Sequence, residues 1–123
     1  MALEVVDKMR IGKYLKTTAL DDLYWGGFFE NVRKDKYSDY DVLVFLVDSF
    51  LTKISGASVT SEKLLMKYLV YINNFFWWAN EKKQPAIQVE AKIRVLEEKY
   101  LDYVERTGQE KSESIITTIK SMV

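Results

Sequence analysis

A chain of 123 residues, 48% hydrophobic and 29% charged, is long enough for one domain with its own core and too apolar to remain disordered. Its 18 basic and 18 acidic groups cancel, which removes the long-range field that would steer it onto a polyanion. The absence of Cys and His excludes disulfide frameworks, thiolate nucleophiles, His-based triads and zinc hydrolase or Glu-x-x-His di-iron sites, leaving only carboxylate, lysine or tyrosine chemistry.

The opening residues, MALEVVDKMR, mix acids and bases where a signal peptide needs an apolar run. The most apolar stretch, Leu64 to Ala79, is broken by Lys67, Asn73 and Asn74 and is too short to span a bilayer. The expectation is a cytoplasmic chain that does not enter a membrane.

In chain order, residues 3–15 place Leu3, Val6, Met9 and Tyr14 on one side of a first helix, whose end Gly12 weakens. Thr18 with Asp21 resembles a capping box opening a second helix toward Lys34. Gly26 and Gly27 interrupt it. They lack the following Lys and Ser/Thr of a phosphate-binding loop, so they are read as a kink or a close helix contact.

Ser38 and Asp41 repeat the capping signature before VLVFLVDSFLTKI, which stops at Gly56. Val42 to Val47 has the composition of a buried strand. However, Leu43, Leu46, Val47, Phe50 and Ile54 follow helical spacing over more turns than a strand would need. Thr60 or Ser61 can cap a fourth helix ending near Lys83. Pro85 suits the first turn of a fifth, which ends near Arg106 before Gly108. Ile115, Ile116, Ile119 and Met122 form the apolar side of a short sixth helix. The predicted fold is an all-α, single-domain helical bundle of five to six helices over residues 1–123, with the last helix (about 110–122) a candidate for a peripheral position.

The run YINNFFWWANEKKQP poses the functional question, because it sets four large rings in succession. On a helical wheel Leu65, Tyr68, Leu69, Ile72, Phe75, Phe76 and Ala79 cover one broad core face. Lys63, Lys67, Asn74 and Glu81 form a polar stripe opposite. Trp77 and Trp78 point in directions 100° apart on the α-helical wheel and cannot both face one neighbour. Phe45 projects beside Asp41, Asp48 and Thr52. On the fifth helix, Ala86, Val89, Ile93, Leu96, Tyr100, Tyr103 and Val104 make a core seam. Glu90–Arg94 and Asp102–Arg106 are expected ion pairs on its back, and Ile87 and Val95 need other cover.

No set of residues forms an evident catalytic site. Asp21 and Asp22 beside Tyr24, or Glu97 and Glu98 with Asp102, are adjacent acids that point apart. A magnesium site built from carboxylates of two helices stays open, and no cofactor is implied. The expected function is therefore non-catalytic association, as a homo-oligomer or as a small subunit, adaptor or inhibitor of a larger assembly. Phe45, Met66, Val70, Trp77 and Trp78 are the partner-binding candidates. The alternative is nucleic-acid binding through Lys8, Arg10, Lys13, Lys16, Arg33, Lys34, Lys36, Lys82 and Lys83, with aromatic rings stacking on bases. Composition fits a viral chain as well as a cellular one.

Overall fold

A computed structural model describes residues 3–17, 28, 31–32, 34–56, 58–81 and 87–122. They form an all-α bundle with six described helices: α1 (Val5–Thr17), α2 (Asp39–Ser55), α3 (Glu62–Glu81), α4 (Ile87–Arg94), α5 (Leu96–Thr107) and α6 (Glu113–Lys120). The expectations for Thr18, Asp21, Asp22, Tyr24, Gly26, Gly27, Pro85 and Ala86 lie outside the described residues, as do those for the side chains of Ala79, Glu81 and Ile87.

Four of the six described helices open on a local cap. At α1 the Glu4 N–H donates to Asp7 Oδ2 at 3.0 Å, the return half of a capping box. Ser38 Oγ accepts from the Asp41 N–H at 3.1 Å to open α2. Ser61 Oγ accepts from the Leu64 N–H at 3.2 Å to open α3, and Ser112 Oγ accepts from the Ile115 N–H to open α6. The run Val42 to Val47 is helical, and Leu43, Leu46, Val47, Phe50 and Ile54 are all buried.

The central pair is α2 and α3. α6 packs on α3, while α4 and α5 pack on α2. Leu65, Tyr68, Leu69, Ile72, Phe75 and Phe76 of α3 are buried as their spacing requires. Tyr71 joins them, stacked on Phe28 at 4.6 Å between ring centroids, a geometry that adds to simple burial. Ile115, Ile116 and Ile119 of α6, and Met122 just after it, close the core.

Three expectations are corrected. The single helix predicted as far as Arg106 is broken at Val95, whose φ of −98° and ψ of 0° separate α4 from α5. The buried seam Val89, Ile93, Leu96, Tyr100, Tyr103 alternates steps of four and three, which drift around a straight α-helix. The turn lets both halves face α2 and leaves Val95 exposed. Next, Lys67 belongs to no solvated stripe: only 8% of it is accessible, and burial, with the nearby Lys63 charge, pushes its amine below the usual lysine range. Finally, Glu90 and Arg94 pair at 3.0 Å, but Arg106 does not reach back to Asp102. Its guanidinium donates to the carbonyls of Ile54 and Gly56 at the end of α2, where unpaired carbonyls and the helix dipole both favour a cation.

A polar cluster joins the connections on the other side. Tyr103 Oη accepts from the Thr60 N–H at 2.8 Å and lies 3.1 Å from Gln109 Oε1. Ser112 Oγ donates to Glu62 Oε1 at 2.6 Å, and the Ser112 N–H donates to Tyr100 Oη. α5 ends where Gly108 adopts φ 72° and donates its N–H to the Val104 carbonyl at 2.9 Å, the left-handed stop that glycine permits.

Candidate functional site

α1 is the helix whose sequence pattern and position disagree most. Its inward side is Ile11 and Leu15, both buried. Val6 and Met9 point outward with Val5, and these three side chains are 62%, 71% and 72% accessible respectively. Leu3 and Tyr14 remain only partly buried against the core.

Polar bonds fix α1 in this attitude. The helical residues ending at Lys34 are closed by Lys36 in the left-handed region, φ 63°, with the Tyr37 N–H donating to the Val32 carbonyl at 3.2 Å. A non-glycine residue there costs about 1–2 kcal/mol. The turn aims Asp35 and Tyr37 at α1. Tyr14 Oη donates to Asp35 Oδ2 at 2.6 Å, and Tyr37 Oη donates to Asp7 Oδ1 at 2.9 Å. Each segment supplies one phenol and one carboxylate. The Glu4 backbone bond and the Tyr37 bond hold the Asp7 carboxyl below the usual carboxylate range. The Tyr14 phenol is raised chiefly by its bond to Asp35, and the Tyr37 phenol chiefly by desolvation and then by its bond to Asp7.

Between α1 and α2 runs an open groove. One part, about 170 Å³, lies among Leu3, Lys8, Val44, Phe45 and the acids Asp41 and Asp48. A larger part, about 590 Å³, runs past Met9, Gly12 and Lys13 on α1, Phe45, Ser49 and Thr52 on α2, and Tyr68 on α3. A Cβ added to Gly12 would meet no atom within 4 Å, so this glycine serves no close packing inside the chain. It widens the groove at a helix cost of about 1 kcal/mol.

The sequence-predicted partner residues separate. Phe45 is partly buried and lines both parts of the groove, beside Asp48 and Thr52 as its position on the wheel implied. Met66 and Val70 are partly buried on α3 away from the groove, to which α3 contributes Tyr68. The side chains of Trp77 and Trp78 lie outside the described residues.

Among the basic candidates Lys8, Arg10, Lys13, Lys34 and Lys36 are exposed. Arg33, Lys82, Lys83 and the Lys16 side chain lie outside the described residues. Arg10 and Lys36 share a cavity of about 380 Å³ with Asp7, Asp35 and Asp41, so carboxylates offset the charge that would hold a phosphate. Asp48 is bridged to Lys92 at 2.7 Å. Among the described residues no three acids are placed to hold a metal ion, and no helix is long and apolar enough to cross a membrane.

The chain matches no family model, no curated protein and no solved structure.

The sequence reading put Val6 and Met9 on one side of α1 but had no means of seeing that this side faces away from the bundle. The signal for the true inward side was Ile11 and Leu15 at i and i+4. A second signal was Gly12, a helix-weakening residue kept in mid-helix with no internal neighbour.

Proposed function

We propose that this chain is a non-catalytic helical module that works by binding another protein surface, and that α1 with the adjoining groove is the surface it uses. The observation that carries the reading is the apolar exposure of Val5, Val6 and Met9 beside a groove floored by Phe45. Isolated exposed apolar residues are ordinary, whereas three on adjacent turns next to a cleft containing Phe45 and Tyr68 suit an interaction site. The side chains around the groove are lysines, aspartates and hydroxyls in mixed order, an arrangement suited to the polar rim of an interface.

The test is a pull-down from source cells with the native chain and with Met9→Glu, at low and high salt. The expected result is a protein retained by the native chain, lost with Met9→Glu and little affected by salt, since burial of apolar surface dominates. A chain that sediments as a strict monomer and retains no protein overturns the reading. Oligonucleotide binding that collapses as salt rises would replace it with the nucleic-acid alternative.

A further inference from the structure

We infer that the narrow end of the groove, between the start of α1 and one face of α2, is a binding site for a small apolar amino acid of leucine's size, held as the free zwitterion. The inference goes beyond the association reading and does not depend on it.

α2 builds most of the site. Asp41, Val44, Phe45 and Asp48 follow i, i+3, i+4 and i+7 and therefore share one face of the helix. Leu3 and Lys8 close the cavity from the α1 side. Its volume is about 170 Å³, and an apolar cavity of about 150 Å³ is enough to take benzene. A side chain of about four to six carbons fits such a space. Leu3, Val44 and Phe45, each partly buried against the core, give it apolar walls.

The polar groups decide what else the ligand carries. Lys8, Asp41 and Asp48 are the charged side chains that border the cavity. Asp48 is already engaged, because its Oδ1 accepts from Lys92 Nζ at 2.7 Å. Lys8 on the α1 wall and Asp41 on the α2 wall are left. Among the described residues neither side chain makes a hydrogen bond or an ion pair, so they border one cavity without reaching each other.

A ligand with only an ammonium group would pair with Asp41 and be repelled by Lys8, and a ligand with only a carboxylate would meet the reverse. A zwitterion satisfies both walls: its carboxylate faces Lys8 and its ammonium faces Asp41. The two anchors differ in character. Asp41 is partly buried and its backbone is fixed in the first turn of α2, where its N–H donates to Ser38 Oγ at 3.1 Å. Lys8 is exposed, and its flexible stem can follow the ligand.

The test is an NMR titration of the nitrogen-labelled full chain with leucine, with isoamylamine, which lacks the carboxylate, with isocaproate, which lacks the ammonium, and with glycine, which lacks the side chain. Leucine is expected to shift the amide signals of Lys8, Val44 and Phe45, and each of the other three should bind about tenfold more weakly. Asp41→Asn should weaken leucine by about the same factor and leave isocaproate binding no weaker. Lys8→Gln should weaken leucine and leave isoamylamine binding no weaker. Helical circular dichroism checks the fold of both variants, and Lys8→Gln decides alone if Asp41→Asn does not fold. No shift with leucine at tens of millimolar overturns the site. Isoamylamine or isocaproate bound as tightly as leucine overturns the zwitterion, and leucine binding indifferent to both variants overturns the two anchors. Met9 does not border this cavity. Met9→Glu should therefore leave leucine binding in place while it abolishes partner capture, so failure of this inference and failure of the association reading are told apart.

Discussion

α6 and α1 are both short helices near an end of the chain, yet they are attached in opposite ways. α6 turns Ile115, Ile116 and Ile119 inward, with Met122 just beyond its end, all buried, and packs on α3 and α5. α1 turns Ile11 and Leu15 inward, leaves Val5, Val6 and Met9 in solvent, and is clasped by two phenol–carboxylate hydrogen bonds. Hydrophobic burial is non-directional and holds α6 wherever its greasy side fits. Hydrogen bonds are directional and contribute modestly net of water, so they set the orientation of α1 while its Val5, Val6 and Met9 stay exposed.

The contrast can be broken most forcefully at α6. Ile119→Ala removes buried volume from the core and should destabilise the whole chain by about 2–5 kcal/mol, the usual range for such truncations, seen as an earlier denaturant midpoint. A change under 1 kcal/mol would mean that α6 is no more integral than α1. At the other end, Gly12→Ala should stabilise the monomer by about 0.5–1 kcal/mol, because helix propensity improves and the added methyl meets nothing. A destabilised monomer in thermal unfolding would show that the groove is not open.

The smallest effect is confined to α1 and depends on pH. Asp7 is held below its ordinary value of 3.8, so its contribution is complete above that value and is lost as pH falls through its lowered folded-state pKa. Tyr14 and Tyr37 are raised above 10.0, so theirs is complete below 10.0 and is lost as pH climbs through the raised pKa values. Amide exchange in α1, corrected for its intrinsic pH dependence, should lose protection at both extremes while α6 keeps its own. Equal loss in the two helices would erase the distinction between them.

The α2–α3 pair and α6 were legible in the sequence because single-sided apolar spacing reports burial directly, as Leu43 to Ile54 and Ile115 to Met122 illustrate. Phe45 was legible as a misfit for the same reason. Features that depend on a partner distant in sequence were not legible. Lys67 sits at a polar position of its own wheel, yet it is buried. Asp102–Arg106 has favourable local spacing, but the carbonyls ending α2 compete successfully for the guanidinium. α1 offers two apolar sides, Ile11–Leu15 and Val5–Val6–Met9, and periodicity alone cannot rank them. Tyr14 and Tyr37 choose between them across 21 and 30 residues of chain.

The guanidinium at the end of α2 has a consequence for how the chain is made. Its two acceptor carbonyls lie 52 and 50 residues earlier, so while synthesis proceeds from the N-terminus the last turn of α2 emerges unfinished and borrows water for those groups. Only when Arg106 leaves the ribosome can that turn be sealed by protein. Completion of α2 therefore waits on a residue translated 50 to 52 positions after the groups it seals.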